Sequence, residues 1–412
     1  MLRVEVAWTR ALWGSGLVTA EEAEAVAAAV EGWVPELSGD AVEAGGNPVM
    51  PLVRALRDRV GECVGPEAAA RLHRGLTSQD VLDSALALLA LRAGARIADD
   101  LQRTADALAR LVAEHRDSVQ AGRTLTQFAV PVTFGLTAAQ WLVGVLDAAD
   151  ELQRRIASLP AQCGGAAGTL SLLTGLSGGD ARVALQCRET FAIELGLAFS
   201  PLPWHTRRVA VTGLGDALVQ TCDALGVIAA DVLTLTRPEI GEVREGAVPG
   251  RGGSSTMPHK RNPVLSVLVN SAALQAPPLG ATLHLASARA IDQRPDAAWH
   301  AEWPTLRRLL ELTVVSASQA ADLLEGLAVD ADAMARRAEA ASDDPLAEWR
   351  SAAADLAPQA APDQAAETTS ETAAAGDVRA YLGAAREFAD VALARHASRT
   401  IRLSGTETRG DR

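Results

Sequence analysis

The segment 250–263 of the 412-residue chain, GRGGSSTMPHKRNP, brings together groups that can handle an anion. Glycines at 250, 252 and 253 allow backbone angles and close approaches closed to other residues. Two hydroxyls follow, Ser254 and Ser255, and then Lys260, the only lysine in the chain. A bias toward arginine explains why lysine is scarce, but not why one stands here. An ammonium is a compact point charge and a guanidinium a flat fork, so a site shaped for one does not readily accept the other. Asn262 and Pro263 predict a helix start, with Asn as cap and Pro at the first position. A glycine-rich loop, hydroxyls, one ammonium and a helix N-terminus make an anion site. The plainer alternative is a surface loop that caps a helix.

Two further blocks carry polar groups at the ends of predicted elements. Residues 73–80, HRGLTSQD, open the longest helical run, and residues 122–127, GRTLTQ, precede Ala129, Pro131, Thr133 and Gly135. In this order the three blocks resemble the fumarase/aspartase superfamily. Its signature GSSxMPxKxNP is matched by Gly253, Ser254, Ser255, Met257, Pro258, Lys260, Asn262 and Pro263. The resemblance covers about 45–330 and is strongest to bacterial 3-carboxy-cis,cis-muconate cycloisomerases. GNPVMPLVRAL, HRGLTSQDVLDSA, GRTLTQFAVPVTFGL, LPWHTRR, WHAEW at 299–303 and the late AYLGAAREFADVAL carry it.

The resemblance implies an all-α fold: a long central bundle, five helices per chain and about twenty in a homotetramer. It implies a small N-terminal helical domain at 1–76, a central domain at 77–328 bearing the signature loop, and a reduced C-terminal region at 329–412. It also implies proton transfer beside a carboxylate through a doubly charged aci-carboxylate. Ser254 is then the base, and Lys260 holds the substrate carboxylate and neutralises the intermediate. A serine hydroxyl does this only in a water-excluded loop beside positive charge. Thr77, Ser78, Thr124, Gln127 and Asn262 supply hydrogen bonds; His73, Arg123, His205, Ser255, Met257 and Arg294 complete the substrate-binding set. A small polycarboxylate is the expected substrate, active sites are shared between subunits, and no cofactor or metal is implied.

Three departures from the family pattern bear on the reaction. Superfamily lyases place a histidine after the Thr of the second block; here that residue is Leu125. Expelling hydroxide or an amine calls for a general acid, whereas a carboxylate or nitrite leaves without one. Leu125 therefore argues against fumarase-, argininosuccinate- and adenylosuccinate-type activity. It fits lactone–carboxylate exchange, or nitrite release as in nitrosuccinate lyases. The cycloisomerase His-Glu-Arg before WHAEW reads Asp292-Gln293-Arg294, so only the arginine clamp remains. The C-terminal helical domain looks reduced to a linker and one helix. An inactive scaffold of the same fold is the alternative from another class.

Helices must position these groups. Thr19 with Glu22 marks a capping box for a helix at 18–33. Another helix is expected from Pro51 to about Val64. Ser78 is expected to cap a run to about Asp117, with apolar residues at three- and four-residue spacing. Further helices are expected at about 132–158, 206–236, 263–290 and 300–327, the third kinked or broken by Pro277 and Pro278. Residues 352–375 read as a linker and 377–397 as a last helix.

Of the remaining candidates, Arg208 is expected to be a solvated helix charge rather than a substrate clamp, His259 a loop residue, and His300 structural. His115, His284 and His396 get the same plain reading. Glu239, Glu242 and Glu245 lack metal-ligand partners.

Composition sets the limits. Hydrophobic residues are 48% and charged residues 22%, ordinary globular usage, with a formal charge of −13. That acidity argues against nucleic acid as a partner. Cys63, Cys163, Cys187 and Cys222 show no CxxC spacing and read as small core residues in a reducing cytoplasm. No stretch is expected to cross a membrane.

Overall fold

The computed structural model describes residues 1–253, 256–257, 259–341 and 378–407. Helices dominate: α1 (Leu2–Gly14), α2 (Ala20–Val30), α3 (Gly39–Gly45), α4 (Val49–Cys63), α5 (Pro66–Arg71), α6 (Ser78–Glu114), α7 (Phe134–Ala157), α8 (Ser171–Leu176), α9 (Ala181–Leu195), α10 (Val209–Leu235), α11 (Val264–Ala288), α12 (Ala297–Glu325), α13 (Ala331–Ala340) and, after a 3₁₀ turn at Val378–Tyr381, α14 (Ala385–Glu407). Two ribbons of two antiparallel strands interrupt them. One pairs β1 (Val119–Thr124) with β2 (Gln127–Thr133), the other β3 (Val243–Arg244) with β4 (Ala328–Val329). The all-α expectation holds, and the long helices fall where the periodicity put them.

The chain forms two compact units. The first is Met1–Arg96, Glu151–Val219 and Ala276–Leu312; the second is Ile97–Asp150, Gln220–Gln275 and the described part of 313–412. In the first, Val4, Trp8, Val81, Phe191 and Trp299 anchor one apolar core, and Val26, Leu56, Val60 and Leu72 a smaller one. In the second, Val119 and Ala121 of β1 pack with Ala338 and Val378.

Local signals explain several boundaries. Thr19 and Glu22 form the full capping box, each side chain bonded to the other's backbone amide. At α6 the cap falls one residue earlier than expected: Ser78 is already helical, and Asp80 reaches back to the amide of Thr77 at 2.9 Å.

Other expectations need correction. Helix α11 runs unbroken through Pro277 and Pro278. Both prolines sit on its exposed side, while Val269, Ala272, Ala276 and Leu283 on the other side are at most 5% exposed and hold the helix through them. Asn262 does not cap α11; its side chain donates to Gly252 O. The amides of Leu265 and Ser266 instead donate to the carboxylate of Glu245. Cys63 is exposed, at the end of an amphipathic helix, whereas the other three cysteines are buried. Helices α10 and α11 are, by length and hydropathy, long and apolar enough to cross a membrane. Half of the α10 window and a third of the α11 window is buried within this chain. The linker at 352–375 lies outside the described residues.

Candidate active site

In the first unit, the first block leads into α6 through strained backbone. His73 adopts a left-handed φ of 61°, unusual for a residue with a side chain. Its Nδ1 lies 2.8 Å from Oε1 of Glu5, a fully buried carboxylate on α1. Trp8 of the same helix donates from its indole to Arg74 O at 2.8 Å. Helix α1 thus holds the block from beneath.

Asp80 is the hub of this region. Fully buried, it accepts from the amides of Thr77, Gly164 and Gly165, each at 2.9 Å, and lies 2.8 Å from Nε2 of His205. Four donors on one carboxylate join the helix start, the glycine-rich loop and the histidine. Gly164 has no room for a side chain, since a Cβ there would stand 2.8 Å from both His205 and Pro203. His205 is 3% exposed, and its Nδ1 is buried without a partner among the described residues.

Arg294 reaches the same region. Its Nη1 donates to Thr77 Oγ1 at 2.6 Å, and its buried Nε has no partner among the described residues. Thr77 and Ser78 are both buried. A guanidinium with an unused donor, one buried hydroxyl in its grip and a second beside it can receive a carboxylate.

Arg208 is not a solvated charge. It is buried, gives two bonds to Asp83 and pairs with Glu302, and its guanidinium lies 4.7 Å from the Trp204 ring centre. Trp299 and Gln79 also donate to Asp83. Burial pushes the Glu302 carboxyl above the ordinary carboxylate range, against the pull of Arg208. This network ties α6, through Asp83, to α12, through Glu302, and to Arg208 at the start of α10; α6 and α10 begin just after Thr77 and His205 in the chain. His300 has a structural role, with its Nε2 2.7 Å from Gly46 O.

In the second unit, the second block forms a hairpin in the stretch between the helices expected to end near Asp117 and to begin near 132. Leu125 and Thr126 are its two turn residues, at φ 49° and 71°. Such a turn usually takes Asn-Gly, so a leucine and a β-branched threonine store strain there. Thr124 and Gln127 pair across the turn, and all four tip residues are exposed, Leu125 by 95%. Gly122 allows the close crossing, since a Cβ would stand 2.2 Å from Val130 O. Arg123 turns its guanidinium back to Glu242, with Nη2 at 2.7 Å from Oε1.

The signature segment lies in the same unit. Gly252 O receives both the amide and the side-chain nitrogen of Asn262. The Lys260 amide bonds to Met257 O at 3.0 Å, and both of these residues are exposed. The Lys260 ammonium has no acidic partner among the described residues. Ser254, Ser255 and Pro258 lie outside the described residues. Also among the described residues, no group of three or more His, Cys, Asp or Glu side chains is placed to hold a metal ion.

Sequence reasoning missed Glu5, Asp83, Glu302 and the tether of Glu242 to Arg123. Asp80 was quoted only as part of its block, although Thr-x-x-Asp at a helix start was a readable signal.

The first unit thus brings buried Thr77 and Arg294 within hydrogen-bond distance, and the second presents an exposed hairpin tip and an exposed Lys260. The profile of the lyase family matches residues 1–277. The chain is 46% identical over 350 residues to nitrosuccinate lyase of Streptomyces davaonensis, covering 80% of this chain and 73% of that protein. It is 41% identical over 343 residues to 3-carboxy-cis,cis-muconate cycloisomerase of Pseudomonas aeruginosa, covering 82% and 72%. The solved 3-carboxy-cis,cis-muconate lactonizing enzyme of Pseudomonas putida superposes with a TM-score of 0.84 at 32% identity, covering 97% of this chain and 94% of that one. The chain belongs to the lyase family, within the fumarase/aspartase superfamily.

Proposed function

We propose that this enzyme moves a proton on the carbon beside a carboxylate while a weakly basic anion leaves from, or adds to, the neighbouring carbon. Leu125 carries this reading: an exposed alkyl side chain at the hairpin tip offers no proton to a leaving group. Lys260 binds the substrate carboxylate and stabilises the charge that builds on it. Arg294 with Thr77 and Ser78, and Thr124 with Gln127, hold the remaining oxygens. Ser254 is the base, His73 and His205 complete the pocket, and neither a metal nor a cofactor takes part.

The substrate reading from the residues is cyclisation of 3-carboxymuconate to its lactone, in which the anion is the substrate's own carboxylate. Nitrite release from nitrosuccinate is the second reading. It is favoured by the 46% identity to a nitrosuccinate lyase and by Asp292-Gln293 in place of His-Glu. We further propose a homotetramer with active sites shared between chains, located in the cytoplasm. Leu274 of α11 is 73% exposed, Leu285 69% and Val227 of α10 58%; these apolar faces suit packing against further copies. On this reading α10 and α11 are core helices of a soluble enzyme.

An ultraviolet assay decides between the substrates. Loss of conjugated-diene absorbance with carboxymuconate supports cyclisation; fumarate with an equal amount of nitrite supports the lyase. Turnover of neither overturns both. A stable monomer by light scattering overturns the tetramer.

A further inference from the structure

Glu242 and Glu245 flank a two-residue strand, and each carboxylate is committed to a different catalytic block of the second unit. Glu242 is fully buried. Its Oε1 takes Nη2 of Arg123 at 2.7 Å, and its Oε2 takes Nε2 of Gln120 at 2.8 Å and Nη1 of Arg123 at 3.3 Å. Both donors lie on β1. Gln120 is itself fixed by Thr137, which donates to its Oε1 at 3.1 Å. The backbone of Glu242 is pinned on both sides, its amide to Leu235 O and its carbonyl to the Asp330 amide, each at 2.9 Å. The strand leading to the hairpin tip is therefore bonded to a residue held at its side chain and at both backbone groups.

Glu245 does the equivalent for the signature segment. Its Oε1 accepts from the amide and the hydroxyl of Ser266, both at 2.7 Å, and its Oε2 from the Leu265 amide at 3.2 Å. These are the second and third residues of α11, whose amides have no partner within the helix. A carboxylate at a helix N-terminus also gains from the helix dipole. The carboxylate comes from about twenty residues earlier in the chain, so it closes the base of the segment that contains Lys260. Gly246 presses on Gly326 so closely that a Cβ would stand 2.6 Å from Gly326 O, which fixes the same base from the other side.

We propose that Glu242 and Glu245 are paired positioning residues. Glu242 sets the register of the hairpin bearing Thr124 and Gln127, and Glu245 sets the root of the Lys260 segment. This goes beyond the proposed function, and rests on it only in taking those two blocks as parts of one active site.

Hydrogen exchange on the full chain tests the assignment without any substrate. In Glu245→Ala the peptide 262–270 exchanges about tenfold faster while 119–128 keeps its rate. In Glu242→Gln the pattern is reversed. Uniform acceleration of both peptides in both variants, or of neither, overturns the proposal. If Glu245→Ala does not fold, Glu245→Gln is read in its place, with the same peptide expected to accelerate. On whichever substrate the enzyme turns over, each variant lowers kcat by about tenfold or more while KM changes less than about threefold. Glu245→Asp, which keeps the carboxylate, recovers part of kcat and of the exchange protection. Faster exchange with unchanged kcat overturns the positioning role.

Discussion

Arg294 Nη1 donates to Thr77 Oγ1 at 2.6 Å, across 217 residues of chain. The arginine that survives from the cycloisomerase pattern is thereby tied to the first block, with its buried Nε still unused among the described residues. Arg294→Lys keeps the charge and loses the fork. We expect KM to rise about tenfold to a hundredfold with a smaller change in kcat, since a charge-assisted pair of bonds to a ground-state carboxylate is removed. Steady-state kinetics check it; a fall in kcat at constant KM would place Arg294 outside carboxylate binding.

The sequence announced this site unevenly. Lys260 stands in a segment whose residue types alone suggest anion chemistry, whereas Thr77, Ser78 and Arg294 were marked only by the family resemblance. What escaped were partners distant in sequence. Glu5 occupies a helix position where periodicity expects an apolar residue, and it makes sense only opposite His73, 68 residues later. Glu245 caps a helix start that Asn262 and Pro263 seemed to supply by themselves. The double proline misled because helix propensity is local, whereas the buried side of α11 is tertiary. The long helices were readable because burial over many turns leaves a regular stripe, and the hairpin was not, because Leu125-Thr126 lacks the turn residues that announce one.

Asp83 and Glu302 share Arg208 and should respond to mutation in opposite ways. Asp83 accepts from Arg208, Trp299 and Gln79, so Asp83→Asn strands several buried donors and should cost about 3–5 kcal/mol in urea unfolding. Glu302 is held above the ordinary carboxylate range by burial. The folded chain therefore binds that proton more tightly than the unfolded chain. The stability this gives is full below the unfolded value of about 4.3 and is lost as pH rises through the folded value. Glu302→Gln removes the dependence. Its stability relative to the parent should improve from acid to neutral pH, and unfolding curves at a series of pH values will show a flat or falling difference if this is wrong.

The hairpin turn offers a stabilising change. Thr126 holds a φ of 71°, a conformation that glycine adopts freely and a β-branched residue does not. Thr126→Gly gives up the bond from Gln127 Nε2 to its hydroxyl, on an exposed tip where water replaces it. A net gain of about 1 kcal/mol is expected from relief of left-handed strain. Thermal unfolding measures it, and a loss would mean that the turn is not strained.

Lys260 is the only side-chain amine in the chain, which makes its role open to chemistry as well as mutation. It is exposed and without an acidic partner among the described residues, so amine acylation should give one side-chain adduct per chain and abolish turnover. A succinate-type dicarboxylate bound at the site should slow that modification by about fivefold or more, through occupancy of the free state. Lys260→Arg keeps a positive charge but spreads it over a plane, and should lower kcat/KM by about a hundredfold or more. Peptide mass analysis of the adduct, with activity followed in parallel, reads both arms. Full activity after stoichiometric acylation of Lys260 would remove the ammonium from the reaction, and with it the anion site from which the functional reading starts.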